Sequence, residues 1–385
     1  MKTVTILGAT GSVGSSTLDL IERDPDGFEI LALTANCDTE KLAAAAIRTR
    51  AKRAVVADEA CLGDLRDRLA GSGIEAAGGA SALMETAAMG ADWTMGAIVG
   101  CAGLEPVMAA VEQGGVVVLA NKEPLVSAGD VILDAAKHSG ATLLPADSEH
   151  NAIFQCFDAS RPGNVRRIIL TCSGGPFRDW SSERMRDVTP EQAVAHPNWS
   201  MGAKISVDSA TCMNKGLELI EAARLFPVPH DAIEIVIHPQ SVIHSLVDYI
   251  DGSVLAQLGP PDMRTPIAHC LAWPDRMATP MEPLDLIAIG RLEFAAPDEM
   301  RFPALRLARQ ALDAGGARPA ILNAANEIAV AAFLAKSIGF LEIAAIVEHT
   351  LDRYDPPAPK KLDEVLAVDA GARAIASERV KEYAS

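Results

Sequence analysis

Aromatic residues are scarce in this 385-residue sequence, with Phe, Trp and Tyr together making up 4%. Any core must therefore be packed from Ala, Val, Ile and Leu, and a hydrophobic content of 49% is enough for more than one core. Positive charge is also in short supply: 34 Lys and Arg face 51 Asp and Glu, for a net charge of −17. A field of that sign repels nucleic acid and anionic lipid, which argues against either as a partner. It repels small phosphorylated molecules too, so a phosphate site has to be built locally from backbone N–H groups, hydroxyls and one or two cations. The blander reading is that the acidity serves solubility alone. No C-x-x-C occurs among Cys37, Cys61, Cys101, Cys156, Cys172, Cys212 and Cys270. An odd, scattered set suggests neither a disulfide framework nor a zinc knuckle and fits a reducing, cytoplasmic location. The apolar runs at 96–104 and 115–120 are too short to span a bilayer. The chain enters a strand after Met1-Lys2, with no secretory leader expected.

Residues 1–147 alternate between strand and helix patterns. Val4–Leu7, Glu29–Thr34, Arg53–Ala57, Trp93–Val99, Val116–Leu119 and Thr142–Leu144 read as strands; Thr17–Glu22 and Thr39–Arg50 read as helical. The strands are continuously apolar, as expected when both faces of a parallel sheet are covered. This rhythm predicts an α/β, doubly wound, Rossmann-like N-terminal domain. From 148 onward, strand-like runs at 166–171, 233–238, 242–247 and 253–258 predict an α+β domain with an antiparallel or mixed sheet. The segment 175–203 is irregular enough for a lid or functional loop. Residues 273–298 read as a linker, and 299–385 as a C-terminal helical bundle.

The first chemical motif is Gly8-Ala9-Thr10-Gly11-Ser12-Val13-Gly14, between a strand and a helix. Small residues let the backbone approach a pyrophosphate, and the helix N-terminus favours its charge. The next strand runs into Asn36-Cys37-Asp38, the region that meets an adenosine ribose in such folds. Asp38 suits a ribose 2′-hydroxyl, and equally suits the N-cap of the helix starting near Thr39. Lys122, after the strand Val116–Leu119, stands where a parallel sheet presents residues to its ligand crevice, or is an ordinary surface lysine.

The second motif is Asp147-Ser148-Glu149-His150-Asn151. If the backbone stays extended, Asp147 and Glu149 point to one side, and two such carboxylates call for a cation, with Mg²⁺ or Mn²⁺ suited to hard oxygen ligands. A solvated acidic turn is the plain alternative. Further on, Asn214, Lys215 and Glu218 share one helix face, either a polar face able to close a metal site and bind phosphate, or a surface Lys–Glu pair. Ser173-Gly174-Gly175-Pro176 can form an anion-binding nest or a plain turn. His196, Trp199 and Met201 lie on one loop, where the indole covers a ligand or anchors the loop. His238 and His244 read as satisfied core histidines.

Taken together, these strings resemble the 1-deoxy-D-xylulose 5-phosphate reductoisomerase family. The matching segments are 8–19, 120–123, 144–155, 173–178, 196–202, 214–218 and 238–241, in the expected order along essentially the whole chain. The resemblance implies conversion of 1-deoxy-D-xylulose 5-phosphate to 2-C-methyl-D-erythritol 4-phosphate with NADPH and a divalent metal, in a homodimer. It implies Asp147, Glu149 and Glu218 as metal ligands, and Lys122, Glu149 and His150 as catalytic. Ser148, Ser173, His196, Trp199, Ser209, Asn214, Lys215 and Glu218 are implied at the substrate, with Met201 in the lid and His244 and Met263 lining the pocket. Thr10, Gly11, Ser12, Val13, Asn36, Asn121, Glu123 and Gly202 are expected at the nucleotide. Three places depart from the family pattern: Pro124 for Ser, Cys172 for Gly, and Asn36-Cys37-Asp38 where a basic residue commonly meets the 2′-phosphate. The competing readings are a metal-free semialdehyde-type dehydrogenase and a non-catalytic nucleotide sensor.

Overall fold

The computed structural model describes residues 1–199 and 201–384. The chain forms two compact units. The first comprises Met1–Pro124, Ile132–Asn151 and Met263–Met281; the second comprises Leu125–Val131, Ala152–Asp262 and Glu282–Ser385.

The first unit is built on seven strands: β1 (Lys2–Leu7), β2 (Phe28–Ala35), β3 (Arg53–Val56), β4 (Glu75–Gly78), β5 (Trp93–Gly96), β6 (Val116–Leu119) and β7 (Thr142–Pro145). Their order is β4-β3-β2-β1-β5-β6-β7, and every neighbouring pair is parallel. The central strand β1 aligns Ile6 with Leu33 on one side and with Met95 on the other. Val4, Ile6, Leu7, Leu33, Val55 and Val118 are fully buried, so the apolar runs do mark strands covered on both faces. Most strand ends differ from the sequence reading by one or two residues, and two differences are larger. Trp93–Val99 stops as a strand at Gly96, and β4 was not expected, because Glu-Ala-Ala-Gly has no β-branched or aromatic residue to signal it.

The predicted division into four consecutive segments also differs from the two units. Helix Arg264–Ala272 belongs to the first unit, where the Cys270 carbonyl accepts the Trp93 indole N–H at 3.0 Å and the Leu271 carbonyl accepts Lys2 Nζ at 2.8 Å. Helix Glu123–Ser139 leaves helical geometry at Ala128, within the stretch Leu125–Val131 that belongs to the second unit.

The second unit carries a four-stranded sheet made of β8 (Val165–Cys172), β9 (Ile233–Ile237), β10 (Ile243–Tyr249) and β11 (Val254–Leu258), ordered β11-β10-β8-β9. β10 runs antiparallel to both β8 and β11, while β8 and β9 are parallel, so the sheet is mixed. Helix Met213–Leu225 packs on this sheet through Leu219 and Ala222, which are buried with Ile168, Leu170 and Val247. Helices Pro303–Ala314, Arg318–Leu334, Phe340–Arg353 and Leu362–Ala384 form the expected helical bundle. Its core is Ala-rich, with Phe333 and Phe340 edge to face at 5.8 Å. Gly216 allows helix Met213–Leu225 to approach Pro303–Ala314 closely, since a Cβ there would lie 2.7 Å from that of Ala308. On the same helix, Lys215 and Glu218 are buried.

Phe333→Ala should lower the unfolding free energy by about 3–5 kcal/mol, the usual cost of emptying an aromatic core site. Chemical denaturation of the two proteins checks this; a loss below about 1 kcal/mol would contradict the packing described.

Candidate active site

In the first unit, the glycine loop joins β1 to helix Ser12–Glu22. Gly8 sits at φ 90° with its N–H donated to Thr34 Oγ1 at 3.0 Å, and a Cβ there would meet the Ala97 carbonyl oxygen at 2.7 Å. A Cβ on Gly14 would collide with the Gly8 carbonyl. Gly11 stands at the N-cap and brings no side-chain acceptor. The helix start therefore keeps N–H groups available to an anion, with Gly11 and Ser12 exposed and Thr10 and Val13 half-exposed. Asn36 is exposed after β2. Of the two readings of Asp38, the structure shows the cap: its carboxylate accepts the Lys41 N–H at 3.1 Å. Asn121 donates its side-chain amide to the carbonyls of Ile98 and Gly100, fixing the turn beyond β5.

Lys122 is no surface lysine. It is buried, and its Nζ lies 3.4 Å from Asp147 Oδ2. Glu123 is buried at the start of the following helix. Asp147 does not continue an extended strand. It precedes helix Ser148–Cys156, and its Oδ1 accepts the N–H groups of Glu149 at 3.1 Å and His150 at 3.3 Å. Glu149 is thus on the first helical turn, and its carboxylate offers an oxygen within 4.8 Å of one from Asp147. Ser148 Oγ donates to Glu149 Oε2. His150 is fully buried, and its Nδ1 faces Asp147 Oδ1 at 3.1 Å, which requires the proton on Nδ1. The helix N-terminus and Lys122 offset the repulsion of the two carboxylates, leaving a hard-oxygen half-site suited to Mg²⁺ or Mn²⁺.

Asn151 and His269 were not singled out as functional from sequence, which carries no signal for their pairing. The Asn151 amide donates to the Pro145 carbonyl at 2.9 Å and lies 3.1 Å from His269 Nδ1, bracing the turn that presents Asp147. Burial foremost, with the charge of Arg276, pushes the His269 imidazole down to about 4.

In the second unit, Gly174 (φ 82°) and Gly175 (φ 67°) turn the chain after Ser173. A Cβ on Gly175 would lie 2.7 Å from the Ser209 carbonyl oxygen, so this glycine lets the Ser173 turn pack against helix Ala203–Ala210, which carries Ser209. Ser173 Oγ is 3.0 Å from His196 Nε2. His196 Nδ1 accepts the N–H groups of Asn198 at 3.1 Å and Trp199 at 3.0 Å, which puts the ring proton on Nε2, donated to Ser173. Asn198 ties the same loop to the Pro239 carbonyl at 2.8 Å and to Ser241 Oγ at 3.1 Å; sequence reading assigned neither residue a role. The Trp199 indole rests beside the His244 ring at 6.0 Å, and Gly202 caps the next helix. Ser200, in the same loop, lies outside the described residues. His238 is the satisfied core histidine expected, with Nδ1 2.9 Å from the Glu293 carbonyl and Nε2 accepting the Ile243 N–H at 3.3 Å.

Asn214, Lys215 and Glu218 lie on helix Met213–Leu225, entered through Cys212 at φ 62°. The surface-pair reading fails: Lys215 and Glu218 are 3% and 0% exposed. The Lys215 ammonium and the Asn214 amide both donate to the Glu218 carboxylate. A buried cation, an amide and a carboxylate lie on one turn, near Ser209 in sequence, with the Ser173–His196 pair in the same unit; donors and an acceptor of these kinds suit an anion or a hard cation. Met263 stands at the N-cap of Arg264–Ala272 in the first unit.

A doubly wound nucleotide-binding sheet with an acidic pair at a helix start, and a second unit holding a buried Lys–Glu turn, define a nucleotide-dependent enzyme with a metal centre. Comparison with known proteins gives the particular family. Family models match residues 4–129 (1-deoxy-D-xylulose 5-phosphate reductoisomerase), 143–226 (its C-terminal domain) and 258–375 (DXP reductoisomerase C-terminal domain). The chain is 63% identical over 372 residues to the 1-deoxy-D-xylulose 5-phosphate reductoisomerase of Zymomonas mobilis subsp. mobilis, covering 97% of this chain and 96% of that one. It is 59% identical to the enzyme of that name from Rhodospirillum centenum, covering 99% and 94%. Among solved structures, the Zymomonas mobilis enzyme in complex with NADPH superposes with a TM-score of 0.94 at 60% identity, covering 99% of each chain. A DOX-P reductoisomerase in complex with NADPH, fosmidomycin and magnesium gives 0.96 at 44% identity, covering 99% and 98%. The chain belongs to the 1-deoxy-D-xylulose 5-phosphate reductoisomerase family.

The depressed His269 value has a consequence for stability. Between about pH 4 and 6.5 the unfolded chain binds a proton that the folded chain does not, so this contribution is fully present above 6.5 and is lost as pH falls toward 4. His269→Gln should flatten the fall in unfolding midpoint over that window; equal slopes in the two proteins would contradict the assignment.

Proposed function

We propose that this chain converts 1-deoxy-D-xylulose 5-phosphate to 2-C-methyl-D-erythritol 4-phosphate, using NADPH and a divalent metal ion. The observation that carries this reading is the Asp147–Glu149 pair, set at a helix start with Lys122 against it, in a chain whose relatives bear this activity's name. One solved relative is described in complex with NADPH, fosmidomycin and magnesium, which supports both cofactors. Asp147, Glu149 and Glu218 would hold the metal, and the donor set of three carboxylates fits Mg²⁺ or Mn²⁺. When bound, the metal supplies Lewis acidity toward neighbouring substrate oxygens, and the nicotinamide supplies the hydride.

The chain's own groups then divide the work. Thr10, Gly11, Ser12 and Val13 take the pyrophosphate, with Asn36, Asn121, Glu123 and Gly202 around the rest of the nucleotide. Ser173, Ser209, Asn214 and Lys215 grip the substrate phosphate, supplying binding energy away from the reacting carbons. For this, Lys215 and Asn214 share their protons between Glu218 and the phosphate. Ser148 binds the substrate near Glu149. Lys122 stabilises negative charge developing on a substrate oxygen during the skeletal rearrangement. His150 holds the Asp147 carboxylate in place through its Nδ1 proton. His196 orients the Ser173 hydroxyl, and Trp199 with Met201 excludes water from the aldehyde that hydride then reduces. His244 and Met263 complete the pocket wall.

The working form we propose is a homodimer in the cytosol. β11 lies at the edge of its sheet, and Ile250, Val254 and Leu255 are exposed there, an apolar edge suited to a second copy. None of the seven cysteines is paired in a disulfide, as a reducing compartment maintains. No helix among the described residues is long and apolar enough to cross a membrane.

The deciding assay follows NADPH absorbance with 1-deoxy-D-xylulose 5-phosphate, with and without Mg²⁺ or Mn²⁺. Oxidation that requires the metal is expected; oxidation that survives a chelator, or none at all, removes the proposal. Glu218→Gln should lower turnover by at least about 100-fold, more than the roughly 10- to 100-fold cost of losing an outer-shell partner of a metal site, while NADPH affinity stays within about twofold of the wild type.

A further inference from the structure

The loop after β2 poses a charge problem. In a fold of this kind that loop meets the adenosine ribose, and a 2′-phosphate there needs a cation nearby. Asn36, Cys37 and Asp38 supply none, and Asp38 adds a carboxylate. The helix that follows supplies one instead. While Asp38 caps that helix, Lys41 folds its ammonium back over the same carboxylate, with Nζ 2.9 Å from Oδ2. The Lys41 side chain is 70% exposed, so the ion pair faces solvent and exchanges readily for a stronger anion. Lys41 also lines, with Ala9 and Thr10 of the glycine loop, an open cavity of about 350 Å³. It therefore stands beside the uncapped helix start that suits the pyrophosphate. Other cations near this loop are engaged elsewhere: Arg48 pairs with Glu22 at 3.1 Å and Arg68 with Asp64 at 2.8 Å.

We propose that Lys41 receives the 2′-phosphate of NADPH, and that Asp38, which competes for the same ammonium, weakens the preference for NADPH over NADH. The inference deepens the nucleotide reading given above and rests on it. A dianionic phosphate is a better partner for an ammonium than a single carboxylate, but the ammonium it takes leaves Asp38 unneutralised beside it. Asp38 and Lys41 thus act as opposed specificity determinants three residues apart.

The test measures NADPH and NADH dissociation constants on the full-length chain by nucleotide fluorescence, without substrate. Lys41→Ala should weaken NADPH by about tenfold, the loss of one charge-assisted contact, and leave NADH within about twofold. Asp38→Asn keeps a side-chain cap and frees the ammonium, so NADPH should tighten severalfold with NADH again little changed. An unchanged NADPH-to-NADH ratio in Lys41→Ala, or weaker NADPH binding in Asp38→Asn, overturns the proposal. If the wild-type chain binds neither nucleotide, the nucleotide reading itself fails and this inference falls with it.

Discussion

Two carboxylates held side by side are the constraint around which the first unit is arranged. Asp147 and Glu149 place oxygens within 4.8 Å of one another, an arrangement that costs Coulomb energy unless positive charge is brought to it. The fold brings it from three sources: N–H groups of the Ser148–Cys156 helix, the buried ammonium of Lys122, and the Nδ1 proton of His150. Each source depends on something further out. Lys122 is placed by the end of β6, and the Asp147 turn is braced by Asn151 against the Pro145 carbonyl. Compensation by partial and monovalent charge leaves room for a harder cation to do better, which is the chemical ground for the metal role proposed for this turn.

The second unit solves a complementary problem. A chain of net charge −17 can hold a phosphate only with local groups, and the second unit contains candidates for them. Lys215 is buried against Glu218 on a helix packed tightly through Gly216, so its charge is neutralised within one turn. The Ser173 turn, opened by two left-handed glycines, carries a hydroxyl oriented by His196, and His196 in turn accepts from the loop that bears Trp199. The Ser173 turn and the Trp199 loop are therefore connected by hydrogen bonds within one unit.

Much of this was legible from sequence where the physics is local. Continuous apolar runs gave the parallel strands, and the glycine loop lay where a strand meets a helix. The Asp147–Glu149 spacing pointed to two carboxylates whose oxygens do lie within 4.8 Å of one another, but with the wrong backbone. An extended segment was expected, but Asp followed by Glu ahead of an apolar run is also a helix-capping pattern, and the cap won. The i, i+4 spacing put Asn214 and Glu218 on one face but could not tell a buried face from a solvated one, since burial depends on neighbours that spacing within one helix does not reveal. For the same reason the Asn151–His269 brace was invisible. Strand β4 was missed because its residues favour no strand by themselves.

The central claim is that Asp147, Glu149 and Glu218 ligate a single divalent ion. The most direct measurement is anomalous diffraction at the manganese edge from crystals of the full chain grown with Mn²⁺. The account predicts one strong peak per chain, with oxygens of all three residues about 2.0–2.3 Å from it, as for small hard cations. A peak elsewhere, or an ion held by Asp147 and Glu149 with Glu218 turned away, would contradict it.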